Sequence, residues 1–206
     1  MRNGLRFQKF CIQFTVAALL VMAAGNTMAA EPLTQVRSTV DEVLTLLRNK
    51  SLPHEERRQQ LTAVIRPAFD FEIMSQWVLG PNWRKASPAE RQRFIDLFTD
   101  LLEATYIGKI EAYTDERVEF TGQKLEGERA EVETLVKTAS ADIPIRYKVF
   151  RRGERWLVYD VVIEEVSLVR NYRNTYGEIV RKEGFPGLFA RMEEKIREFK
   201  ASKAAS

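Results

Sequence analysis

Histidine occurs once in this chain, and His54 stands beside Pro53 at the start of a helical pattern, with Glu55 and Glu56 following. A single imidazole without partners at metal-ligand spacing reads as a solvated helix-end residue, so no metal site is expected. Asp160 is the stronger candidate for chemistry, because it interrupts the apolar run Val158-Tyr159-Asp160-Val161-Val162. A buried carboxylate there needs a compensating donor such as an arginine, a tyrosine or a helix N-terminus. Left free in a cavity it could instead act as a base, as in isomerases built on cone-shaped α+β folds; the structural role is the expected one. Arg84, Arg170 and Arg173 could pair with phosphate oxygens at a pocket rim, or form ordinary surface ion pairs. No Gly-rich pattern followed by Lys-Ser/Thr occurs, so no nucleotide site is expected.

The elements that must position these residues follow an N-terminal segment of a different kind. Arg2, Arg6 and Lys9 precede an apolar run from Phe10 to Ala24, and Thr27-Met28-Ala29-Ala30 offers small residues for cleavage. Residues 1–30 therefore read as a secretory signal peptide, too short and wrongly flanked for a membrane span. The only cysteine, Cys11, lies inside it, so the exported chain would carry neither thiol nor disulfide. Removing the three basic residues also leaves basic and acidic side chains balanced at 29 each, which gives no electrostatic footprint for nucleic acid. Residues 31–206 are long enough to bury a core without staples and read as one domain, with a polar tail from about residue 200.

From Pro32 the positions Leu33, Val36, Val40, Val43, Leu44 and Leu47 recur at helical spacing, and a second helix runs from Pro53 to Val64 before Pro67. Asp70 reads as an N-cap and Gly80 as the stop of a short third helix. Ser87-Pro88-Ala89-Glu90 is a capping box that launches the longest helix, striped by Phe94, Phe98, Leu101, Leu102, Tyr106 and Ile110. Strands are expected near 118–122, 129–139, 143–151 and 155–163, joined by short turns and hence antiparallel. The last strand has two apolar faces and must be covered on both. Helix returns from Ser167, breaks at Gly184-Phe185-Pro186-Gly187, and ends on Leu188, Met192, Ile196 and Phe199. The order predicts an α+β fold, a curved antiparallel sheet of about four strands packed against N- and C-terminal helices around an apolar cavity.

Three blocks carry a family resemblance. Pro67-Ala68-Phe69-Asp70-Phe71-Glu72-Ile73-Met74 is followed by Trp77-Val78-Leu79-Gly80 and Trp83-Arg84; the helix from Ala89 to Tyr106 comes next; the stretch from Trp156 to Arg173 closes the set. In this order they resemble the MlaC family, also called the toluene-tolerance auxiliary family. One position departs from it: Glu165 stands where the family often has glycine, a residue that would allow a positive backbone angle.

The resemblance implies a soluble periplasmic phospholipid carrier, not an enzyme, that shuttles lipids between an outer-membrane lipoprotein–porin complex and an inner-membrane ABC transporter with its lipid-binding hexamer, maintaining outer-membrane lipid asymmetry. It implies a monomer with no cofactor other than the phospholipid cargo. Family position and periodicity together place the cavity wall at Phe98, Leu102, Tyr106 and Ile110 of the long helix and Val136, Ile145, Tyr147 and Val158 of the sheet, with Trp77, Val78 and Val166 closing the rim. A diacyl lipid needs a site at or above the upper end of the ~300 to 1,000 Å³ usual for ligand pockets. A small cavity enclosing Asp160 would instead indicate a periplasmic enzyme, and a filled core a non-catalytic adaptor.

Overall fold

Local signals set most of the element boundaries in the computed structural model, which describes residues 31–113 and 117–204. The expected signal peptide, with Cys11, lies outside the described residues. Helix α1 (Pro32–Arg48) opens with proline at its first position, where the missing N–H costs nothing. Helix α2 (His54–Ile65) tightens into a 3-10 turn at Arg66–Ala68. Helix α3 (Phe71–Leu79) is capped by Asp70, whose Oδ1 accepts from the Ile73 N–H at 3.0 Å. It ends at Gly80, with φ 54°, in a 3-10 turn that runs to Arg84. The Arg173 guanidinium packs on that glycine so closely that a Cβ would meet its Nε at 2.9 Å. Helix α4 (Pro88–Glu111) carries the complete capping box between Ser87 and Glu90.

The sheet has five strands in the order β1 (Arg117–Glu126), β2 (Arg129–Lys137), β3 (Asp142–Arg152), β4 (Arg155–Ile163) and β5 (Val166–Ser167), each antiparallel to its neighbour. The fifth strand was not expected. It exists because Glu164 and Glu165 both take positive φ, 47° and 68°, and so close a two-residue turn that pairs Ile163 with Val166. Both central residues of that turn type lie in the left-handed region. Bulges between Phe120 and Gly122 and at Lys148/Val149 add local bend and twist. Helix α5 (Leu168–Ala204) follows at once, breaks at Gly184, and runs on through the segment expected to be a tail.

Three apolar clusters result. Helices α3, α4 and α5 share one, built on Met74, Phe94, Phe98, Leu188 and Met192. The inner face of the sheet forms a second, with Val132, Val149, Trp156, Val158 and Val161 beneath Val36 of α1. Leu47, Leu61 and Ile107 join α1, α2 and the end of α4 in a third.

Candidate apolar site between the sheet and the first helix

Alternation along β2 and β3 puts Val132, Thr134 and Val136 opposite Tyr147, Ile145 and Ile143 on the inner face. Ile145, Tyr147, Ile163 and Phe120 remain only partly buried there, so the face is apolar yet incompletely covered. Between it and α1 lies a cleft of about 50 Å³, lined by Val36, Val40, Phe69, Tyr147, Trp156 and Val158 among others. Burial pushes the Tyr147 phenol above its ordinary pKa, and Tyr113 lies within electrostatic reach of it. Tyr113 and Ile110 border the third cluster, so an apolar band continues from Trp156 past Tyr147 toward Leu61. A larger depression of about 550 Å³ between α2 and α4 is lined by Glu55, Arg58, Gln59, Thr62, Arg66 and Glu103 with Ala63 and Pro67. Charged and polar residues predominate among those that line it.

The wall residues read from the sequence divide. Val136, Ile145, Tyr147 and Val158 share the inner face, and Ile110 belongs to the adjoining third cluster. Val78, Phe98 and Leu102 are instead buried in the helical core, with Tyr106 at its border. There Phe98 meets Tyr172 edge-on at 5.2 Å, and burial drives the Tyr106 phenol far above its usual pKa. The cause is that α4 is apolar on two sides: its 94, 98, 101 and 102 positions face α5, while 107 and 110 turn toward α1 and α2. Trp77 lies on Tyr159 with ring centroids 4.7 Å apart, under the Arg129 guanidinium, and is 37% exposed. Val166 points outward, 56% exposed, because a two-residue strand after a tight turn has no layer to cover it. Val36, Val40, Phe69 and Trp156 line the cleft but were not among the wall residues chosen from the sequence, although the strand that Trp156 opens was read as needing cover on both faces. The α1 stripe was visible, but nothing in it said which surface it would face.

The candidate chemical groups are engaged elsewhere. Asp160 Oδ2 accepts from Ser167 Oγ at 2.7 Å and Oδ1 from the Val169 N–H at 3.1 Å, while Ser167 Oγ accepts from the Arg170 N–H. Together the two residues cap α5, with Lys148 Nζ 4.0 Å from the carboxylate. His54 Nε2 stands 3.4 Å from Glu111, which also receives Arg58 in a bidentate pair. Arg84, Arg170 and Arg173 are exposed, and none lines the apolar cleft. Among the described residues no group of three or more His, Cys, Asp or Glu could hold a metal. No described helix is long and apolar enough to cross a membrane.

A curved antiparallel sheet with an apolar inner face, roofed by one helix and backed by a separate helical core, defines an α+β protein built around a hydrophobic interior. The sequence profile of the MlaC protein family matches residues 37–194, and the chain belongs to that family. It is 23% identical over 195 residues to the intermembrane phospholipid transport system binding protein MlaC of Haemophilus influenzae, covering 89% of this chain and 90% of that one. Its fold matches a solved phospholipid-binding protein of Ralstonia solanacearum, in complex with a phospholipid, with a TM-score of 0.77 and 24% identity over 83% of this chain and 99% of the other.

Proposed function

We propose that this chain is a periplasmic phospholipid carrier whose acyl-chain site is the space between the inner face of the sheet and α1. The observation that carries the reading is the incompletely covered apolar face of β3 and β4 with a cleft already present beneath α1. The names of its relatives supply the cargo. Burying hydrocarbon is worth ~0.8 kcal/mol per methylene, so two long tails left in water would cost on the order of 20 kcal/mol. Such tails must be hidden almost entirely, and a space of about 50 Å³ is far short of the ~300 to 1,000 Å³ of ordinary ligand pockets. On the carrier reading, loading widens the space between the sheet and the elements that cover it.

Passage between a bilayer and this interior exchanges one apolar environment for another, so its net free energy is small. Direction is then set by partners: an outer-membrane lipoprotein–porin complex on one side, an inner-membrane ABC transporter with its lipid-binding hexamer on the other. The chain works as a monomer, exported by a cleaved leader over residues 1–30, and helps maintain outer-membrane lipid asymmetry. It performs no catalysis; the carboxylate best placed for a base, Asp160, is occupied as a helix cap.

Native mass spectrometry of the protein purified from periplasm without detergent, followed by solvent extraction, tests this reading. Near-stoichiometric phospholipid is the expected result, and its mass counts the chains held. A bare protein that also takes no labelled phospholipid from vesicles would overturn it.

A further inference from the structure

The first turns of α1 are tied to the sheet on two sides, and the ties are polar. On one side the Gln35 side chain lies along β4 as a neighbouring strand would: its Nε2 donates to the Trp156 carbonyl at 2.7 Å, and the Trp156 N–H donates back to its Oε1 at 2.9 Å. On the other, Gln123 of β1 accepts from the Leu33 N–H at 3.0 Å and donates from Nε2 to Glu31 Oε2 at 3.0 Å. Arg37 adds a cation-π contact to Phe120, 4.1 Å from the ring centroid. These residues span from β1 to β4 within less than two helical turns.

Beneath these ties the helix also makes apolar contact. In this half of α1 Pro32 and Val36 are fully buried, while Leu33 and Val40 are partly so, beside the cleft of about 50 Å³. At the other end Leu47 is buried against Leu61 and Ile107. A helix whose first turns are held by amide hydrogen bonds and two buried side chains can lift at that end without unfolding, pivoting on the contact at Leu47. Water replaces each clasp bond one for one, and entering acyl chains replace the apolar contacts of Pro32 and Val36.

We propose that α1 is the gate of the acyl-chain site, and that Gln35 and Gln123 are positioning residues that clasp it shut in the empty protein and release it when tails enter. The inference rests on the carrier reading. Its consequence is thermodynamic: the incoming lipid must bear the cost of opening, so the observed affinity is reduced by the fraction of molecules already open.

The experiment measures uptake and equilibrium binding of a fluorescent phospholipid from phosphatidylethanolamine–phosphatidylglycerol vesicles by Gln35→Met and Gln123→Met variants, with circular dichroism as the control for folding. Each substitution should speed uptake and tighten binding about five-fold, the effect of losing roughly one net hydrogen bond from the closed state. A purely structural contact would act in the opposite sense, loosening the fold and weakening binding. In the exported chain, which on this reading has no cysteine of its own, a Glu31→Cys/Gln123→Cys pair bridged by a cleavable bis-maleimide should slow uptake at least about tenfold, with recovery on cleavage, since closure then no longer depends on the clasp equilibrium. Uptake by the bridged protein at the unsubstituted rate, or folded methionine variants that bind no faster and no tighter, overturns the gate while leaving the carrier intact. No uptake by the unsubstituted protein overturns both.

Discussion

Asp160 can carry a charge into a run of valines because two donors meet it, the Ser167 hydroxyl and the Val169 amide, at the end of a helix whose dipole favours an anion. Removing it leaves both donors and the nearby Lys148 without that partner. Asp160→Ala should lower unfolding free energy by about 2–4 kcal/mol, and Asp160→Asn by roughly half as much, since the amide keeps one acceptor. Denaturant titration reads both values. Full stability combined with loss of lipid binding would instead make this carboxylate a functional group. The sequence showed that Asp160 needed a partner and allowed a helix N-terminus as one candidate. It did not single out Ser167, because the partners lie beyond a turn formed by two glutamates, whose positive backbone angles no residue-type preference announces.

That turn is best judged as an element. Glu165 holds a left-handed conformation that costs a non-glycine residue roughly 1–2 kcal/mol, and its carboxylate forms a bidentate pair with Arg146, with both contacts at 2.8 Å. Glu165→Gly removes the strain, loses an exposed pair that solvent screens, and adds chain entropy to the unfolded state worth about 0.4–1 kcal/mol. Its stability should stay within about 1 kcal/mol of the original, whereas Glu165→Ile, β-branched in the same conformation, should lose more. Hydrogen bonding to Arg146 holds the Glu165 carboxyl below its usual pKa, so the pair contributes above the ordinary carboxylate range and fades as pH falls through the depressed value. The glycine variant should therefore show a shallower loss of stability on the acid side; an unchanged slope would mean that the pair contributes nothing. Other elements were legible for plain reasons. Asp70, Gly80, the Ser87/Glu90 box and the short hairpin turns are local chemistry, and they appear where that chemistry requires. The faces of α4 were not legible, because its two apolar sides merge into one wide stripe when read along the chain.

At the scale of the molecule two apolar regions differ: Phe94 and Phe98 of the helical core are fully buried, while beneath α1 a cleft of about 50 Å³ remains beside partly buried Ile145 and Tyr147. Substitutions should separate along the same line. Ile145→Glu and Ile110→Glu should cut phospholipid occupancy more than they cut stability. Phe98→Ala should cost about 3–5 kcal/mol of stability with lipid retained by the molecules that remain folded, and Val166→Arg should leave occupancy unchanged. Native mass spectrometry alongside thermal melts checks the set; equal lipid loss from Ile145→Glu and Val166→Arg would mean that the acyl site lies elsewhere. No sequence pattern could assign the empty space, since an unfilled apolar face and a filled one are written with the same residues.

The Gln35 amide also shields a strand edge. At Trp156 it occupies the N–H and C=O that β4 would otherwise present to a second chain, and Asp70 covers the next such position by donating its N–H to the Val158 carbonyl at 2.9 Å. An unpaired edge beside apolar residues is a template for aggregation. In the proposed gate each opening of α1 exposes, briefly, a sticky seam, and a protein built this way is safest when it opens only against a surface already in place to cover it.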